Sequence, residues 1–240
     1  MRSGDVFTDA NLQERLMPME RLRPTMWAHA RPGVVRTDGS GNISSIVTGS
    51  SLNFTQNNAS NRPPLGSVAG RPTIRATVSK PLGSSATISS LSDFTVAVLY
   101  WQKSSETFDL EILDIFSNPM GSLRNDTTPA VRGSLGSSPS DISVGQNLPI
   151  VASLVGQTTN GTLRVGSESA IVATVYSSED SEITLKSANA CDVFEVVFFD
   201  RALQAADIRR LEGILAWSSG FPEALGGGHP YLTRPPLVGD

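Results

Sequence analysis

The stretch Phe194–Trp217 constrains this chain more than any other, because an apolar run passes directly into an amphipathic stripe. Val193, Phe194, Val196, Val197, Phe198 and Phe199 are broken only by Glu195. Such β-branched and aromatic density predicts a strand buried on both faces. At Asp200 the period changes. Ile208, Leu211 and Leu215 fall at i, i+3 and i+7 with Ile214 alongside, which is one stripe of a helix. Asp207 stands near the predicted helix start, where a negative charge favours the exposed amides, and Gly220 lies just past the end. A buried strand running into a short helix, then a Pro/Gly-rich tail, closes a fold.

Composition narrows the class. At 240 residues the chain suits one sizeable core, and all-β sandwiches of this length are commonly single domains. Ser, Thr, Gly and Pro are plentiful, which favours strands and turns. The formal net charge is −4 and the arginines are scattered. Nothing neutralises a run of phosphates, so nucleic acid is excluded as a partner. No apolar run reaches the length of a membrane span. Cys191 is the only cysteine and is expected to pack as a small apolar residue. Met1–Phe7 shows no secretory pattern. The sequons at Asn42, Asn53, Asn58, Asn125 and Asn160 then follow from Ser/Thr/Asn-rich loops rather than from glycan attachment.

Three passages carry a family likeness. Phe199-Asp-Arg-Ala-Leu-Gln-Ala-Ala-Asp-Ile, Leu211-Glu-Gly-Ile-Leu-Ala-Trp and Gly228-His-Pro-Tyr231 close the chain. Near the start stand Trp27, Thr37-Asp-Gly-Ser-Gly-Asn-Ile-Ser-Ser45, Asn53-Phe-Thr-Gln-Asn-Asn58, Arg62-Pro63 and Gly70-Arg-Pro-Thr-Ile-Arg75. Together they resemble concanavalin A-like lectin/glucanase domains, nearest to the laminin-G-like jelly rolls of phage virion and bacterial surface proteins. The chain departs from that pattern at Ile214, Ser218-Ser219 and Leu225-Gly-Gly-Gly-His229. The resemblance spans roughly Trp27 to Pro236 and implies a jelly roll whose His229-Pro-Tyr231 tail packs back onto the sandwich. Independently, Asp38-Gly39 is a turn signal, since glycine accepts the positive φ that a tight turn needs.

The middle of the chain reads as antiparallel strands. Phe94–Trp101, Thr107–Phe116, Ile150–Val155, Gly161–Val165, Ala170–Tyr176 and Ser181–Lys186 are all β-rich, and Gly121–Asn147 is a meander of short strands and loops. Residues 1–25 form an N-terminal arm and 26–240 the jelly-roll domain with its C-terminal helix and tail. In the arm Leu12, Leu16 and Met19 make one helical stripe that Pro18 interrupts and Pro24 ends. Two readings of it stand: a frayed terminus, or an assembly arm that obtains its burial from another subunit.

Several constellations bear on chemistry. Asp109-Leu-Glu111-Ile-Leu-Asp114 has the spacing of the bulged carboxylate strand of the family's glucanases, with every acid exchanged between Glu and Asp. An acid displaced by about 1 Å forfeits on the order of 10²-fold in rate, so the expectation is a strand with one polar face and no catalytic residue. Glu179-Asp-Ser-Glu182 offers oxygens for calcium, yet matches no ligand loop and reads as a solvated hairpin tip. His29 and His229 lie far apart without cysteine partners, so no metal site is expected. Trp101 ends a strand beside Gln102, and this pair is the candidate carbohydrate platform, against the alternative that Trp101 is core. No cofactor is called for.

These observations predict an all-β, two-sheet antiparallel jelly roll with one short C-terminal helix. The expected function is non-enzymatic: a phage virion protein, on a capsid or tail, that displays a lectin-like domain to host glycans. Its expected partners are other virion subunits in a homo-oligomer and a host surface glycan, with no nucleic acid and no membrane. Its expected location is the virion, assembled in the host cytoplasm. The alternative is a carbohydrate-binding module or relict glucanase acting on a polysaccharide.

Overall fold

The computed structural model describes residues 18–47, 52–103, 109–114, 119–125, 130–135, 138–157, 159–173, 179–186 and 191–238. In chain order the first strands are β1 (Met26–His29), β2 (Val35–Thr37), β3 (Ile43–Ile46), β4 (Phe54–Thr55), β5 (Leu65–Val68) and β6 (Arg71–Ile74). Next come β7 (Leu82–Ser84), β8 (Ile88–Leu91), β9 (Phe94–Gln102), β10 (Asp109–Asp114), β11 (Pro119–Asn125) and β12 (Ala130–Leu135). The last are β13 (Ser138–Ser143), β14 (Leu148–Gly156), β15 (Asn160–Val165), β16 (Glu168–Ala173), β17 (Glu179–Lys186) and β18 (Asp192–Phe199), followed by helix α1 (Ala205–Ser218).

They form two antiparallel sheets. The smaller runs β16-β15-β14-β9-β18-β6-β5, with β1 sharing the free edge of β18. The larger runs β13-β12-β11-β10-β17-β7-β4-β3-β2, with β8 sharing the edge of β17. This is the two-sheet sandwich expected from the sequence. A third layer is added by α1 and the tail, which lie on the outer face of the smaller sheet against β14 and β9.

That third layer explains why β9, β14 and β18 are apolar throughout. Val193, Val196 and Phe198 enter the core between the sheets, whereas Phe194, Val197 and Phe199 enter a second core beneath α1. Every residue of β18 is buried. In the inter-sheet core Phe94 stacks on Phe198 with ring centroids 6.4 Å apart. The second core takes Ile208, Leu211, Ile214 and Leu215 from the predicted stripe of α1. Burying each such side chain contributes about 1.5–3 kcal/mol. Gly213 lets the tail lie directly on the helix, since a Cβ there would stand 3.0 Å from Tyr231 and 3.1 Å from Pro236.

Several expectations need correction. Met19 is only 1% exposed and, with Leu22, packs into the second core through a 3₁₀ turn at Met19–Leu22. Arg201 fastens that turn by donating to the carbonyls of Leu22 and Arg23. Met19 thus finds its burial within its own chain, because one turn suffices to reach the side of α1. It is not an assembly residue, and the packed unit begins before residue 26. Leu12 and Leu16 lie outside the described residues. The acidic tetrad is no hairpin tip: Glu179–Glu182 belong to β17, Ser181 is buried, and the Asp180 carboxylate accepts the Ser90 amide. In the β2–β3 hairpin the positive φ falls on Gly41, at 78°, instead of Gly39. There the Asp38 carboxylate accepts the Ser40 and Asn42 amides and so sets the turn. Cys191 is buried, as expected, and its thiol donates to the Trp101 carbonyl at 3.7 Å.

Candidate functional site

The outer face of the larger sheet has no helix upon it among the described residues. Its side chains follow from strand alternation. In β10 Leu110 enters the core, so Asp109 and Glu111 face outward. In β11, β12 and β17 the core takes Leu123, Val131, Leu135, Ile183 and Leu185, which leaves Ser122, Arg124, Arg132, Ser134, Thr184 and Lys186 outside.

Register aligns these residues in two rows. The first reads Lys186, Asp109, Arg124, Arg132, Asp141 across five strands. The second reads Thr184, Glu111, Ser122, Ser134, Pro139. Four strand spacings make the band roughly 19 Å long. Within it the Lys186 ammonium lies 2.5 Å from Glu111. Arg132 holds Asp141 through two bonds of 2.6 and 2.8 Å, which keeps the Asp141 carboxyl below its usual range. The hydroxyls of Ser122 and Ser134 are 2.7 Å apart. The band carries no aromatic side chain among the described residues, so any ligand would be held by hydrogen bonds and charge.

Asp109 is the perturbed acid of the band. Burial, then the Glu111 charge, raises its carboxyl from 3.8 to about 6, against the pull of Arg124 and Lys186. Its buried Oδ1 has no hydrogen-bond partner. When protonated it can donate to Glu111, which settles two acceptors that otherwise repel. The bulge expected in the carboxylate strand is present, with the β10–β11 register shifting between Ile112 and Leu113. The side chain of Asp114 lies outside the described residues.

The expected platform is not assembled. Trp101 points from β9 toward the helix-covered side, where it meets Phe221 edge-on at 5.9 Å. Gln102 points the other way, is 1% exposed, and donates to the Lys103 carbonyl. β9 is covered on both sides, so its terminal tryptophan packs half-buried against the second core. Gln102 is corrected from ligand contact to buried structural residue.

Sequence reasoning passed over two polar centres on the smaller sheet. At the first, Glu212 of α1 is fully buried and accepts Ser153 at 2.8 Å and Arg164 at 3.0 Å. His229 Nδ1 accepts the Tyr231 amide, so the ring's proton sits on Nε2 and is given to Glu212 at 3.1 Å. This is how the His229-Pro-Tyr231 tail packs back, in the structural role expected of it. At the second centre, Glu195 is 1% exposed and accepts four donors: Trp27 Nε1 at 2.8 Å, Arg31 at 2.5 Å, Ser219 at 2.7 Å and Ser218 at 3.2 Å. It forms the floor of a cavity of about 230 Å³. The sequence signal was the lone charge in an apolar run. Among the described residues no cluster of three metal-ligating side chains occurs, and no helix is long and apolar enough to cross a membrane.

No family model matches the sequence, and no curated protein does. Solved structures match in fold. A Trypanosoma rangeli sialidase aligns with a TM-score of 0.55 at 12% identity, over 80% of this chain and 32% of its own. An α-L-arabinofuranosidase soaked with a cyclic sulfate inhibitor aligns at 0.56 and 11%, over 74% of this chain and 51% of its own. The binding domain of botulinum neurotoxin DC, in complex with rat synaptotagmin II, aligns at 0.50 and 11%, over 80% and 51%. The chain therefore spans a third to a half of the proteins it matches, and what it shares with them is the β-sandwich fold.

Proposed function

We propose that this is a non-catalytic, lectin-like display domain of a phage virion that contacts host glycans through the open face of its larger sheet. The observation that carries the reading is the polar band from Lys186 to Asp141. One face of the sandwich is sealed by α1 and the tail, and the other offers five strands of hydroxyls, carboxylates and guanidinium groups in register. Hydroxyl-rich ligands are met by such mixed donors and acceptors, and a band of roughly 19 Å suits a short saccharide chain. The sandwich fold shared with carbohydrate-active proteins agrees with this. The virion setting rests on the closing motifs of the sequence and on an expected assembly role for the residues before Pro18.

A second reading, a relict glucanase, draws on Asp109 near pH 6 and on the bulge beside Ile112. Geometry weighs against it. The outer acids of the strand, Asp109 and Asp114, are each one methylene shorter than the glutamates of the glucanases it resembles, and a displacement of about 1 Å costs on the order of 10²-fold in rate. Glu111 is also held in an ion pair with Lys186 at 2.5 Å. A glycan array followed by a reducing-sugar assay tests both readings. Binding that Arg132→Ala or Thr184→Ala weakens, without sugar release, is the expected result. Turnover abolished by Asp109→Asn with Glu111→Gln would overturn the non-catalytic reading. Failure of the protein to purify with phage-like particles would overturn the virion setting.

A further inference from the structure

The cavity over Glu195 lies across the molecule from the polar band and shares no residue with it. We propose that this cavity binds a small ligand bearing one carboxylate, gripped between Arg31 and Arg71.

The site is built by a bulge. The β18–β9 register shifts between Val193 and Glu195, so Phe194 and Glu195 both turn to the outer side. An aliphatic residue there would have continued the apolar run. A buried carboxylate instead costs several kcal/mol unless well paired. Here it is fully paired, and its donors come from three places: β1, the segment after it, and the end of α1. The effect is to fix Arg31 at the cavity wall. One Arg31 amino group is spent on Glu195, and a guanidinium carries five N–H donors.

Arg71 lines the same cavity. No ion pair or side-chain hydrogen bond engages it among the described residues. Its Nη2 rests on the bare backbone of Gly220, where a Cβ would stand 2.7 Å away. The carbonyl end of α1 favours a cation at that place, yet takes none of its donors. The charge count then decides the ligand. Arg31 and Arg71 are the cations lining the cavity and Glu195 is its only acid, which leaves one positive charge uncompensated. His29 adds none at neutral pH, since burial holds its imidazole below the ordinary value despite Glu195 beside it. Ala30, Pro32, Pro72 and Phe194 supply apolar wall for the body of the ligand. At about 230 Å³ the space is below the range of drug-sized sites and fits a single compact unit. An acidic monosaccharide and a simple carboxylic acid share the required chemistry.

The test is calorimetric titration of the full chain with glucuronate, glucose and acetate. Saturable glucuronate binding and no glucose binding are expected, with affinity falling as salt is added. Arg71→Gln should weaken glucuronate about tenfold or more, the scale of one charge-assisted contact. Arg36→Gln, on β2 of the larger sheet and outside the band, should leave it unchanged. Acetate binding as well as glucuronate would assign the site to small carboxylates generally, and acetate binding much more weakly would assign it to acidic sugars. Equal binding of glucose, no saturable binding of either anion, or an unaffected Arg71→Gln variant would overturn the proposal. The preference of the unaltered chain for glucuronate over glucose tests it even if the variant does not fold.

Discussion

Replacing Asp109 with asparagine should make the protein more stable at neutral pH. Asparagine keeps the shape of the side chain and removes the charge that burial and Glu111 oppose. The folded carboxyl titrates at about 6 against an ordinary 3.8, so ionisation is harder in the fold than in the unfolded chain. For a raised carboxyl the sign is a loss of stability as pH climbs. Below about 3.8 both states hold the proton and nothing is lost. Between 3.8 and about 6 the unfolded chain ionises first and stability falls, and above 6 the loss is complete. Two pH units at about 1.4 kcal/mol each set a ceiling near 3 kcal/mol. The side chain keeps some contact with water, which screens it, so about 1–2 kcal/mol is expected. Urea denaturation of both proteins from pH 3.5 to 8 measures this. The curves should coincide at the acid end and separate through pH 4–6, with the variant above. An Asp109→Asn variant less stable at pH 7, or a difference constant across pH, would refute the reasoning. The attractions of Arg124 and Lys186 would then outweigh burial.

Three further outcomes are expected. Leu211→Ala should cost about 2–5 kcal/mol by denaturant midpoint, because the side chain is fully buried beneath α1. Glu212→Gln should cost about 3 kcal/mol or more by the same measure, since it strips Arg164 of its partner inside the fold. Deleting residues 1–17 should leave the melting temperature unchanged and abolish assembly, read by light scattering. Extending the deletion through Arg23 should lower the melting temperature, since it removes Met19 and Leu22 from the second core.

The closing element was legible because its two periods are local: β18 is a run of eight buried residues and α1 a single stripe. The sandwich followed from strand density and turn spacing. What could not be read was which strands have one covered face and which have two. Trp101 and Gln102 looked like a rim because a lysine follows, yet β9 lies beneath both the larger sheet and Phe221. Met19 looked like part of an arm because prolines flank it, yet its partners on α1 are some 190 residues away in the chain. The Glu195 centre needed Trp27, 168 residues distant, together with a bulge that no local pattern announces. The carboxylate strand was legible as a motif, but the contact between Asp109 and Glu111 depends on how deeply the sheet face is buried.

The two outer faces of this sandwich answer different physical demands. On the smaller sheet the outward positions Thr73, Thr95 and Ser153 are wholly buried, so each polar group there must find a partner inside the protein. They do: Thr73 donates to Asp192, Thr95 to the Arg201 carbonyl and Ser153 to Glu212. Each bond ties strands to a segment some 60 to 120 residues away, and a half-satisfied version would be worse than an apolar one. That face therefore fixes where α1 and the tail lie, and it can host a ligand only where a gap such as the Glu195 cavity remains. The larger sheet faces water and carries no such obligation. Apart from Asp109 and Ser122, the polar side chains of its band keep contact with water, so exchanging them would alter any recognition there at little cost to the fold. On the proposed glycan reading, selection for a new ligand would act on the band from Lys186 to Asp141 and leave the closing element as it is.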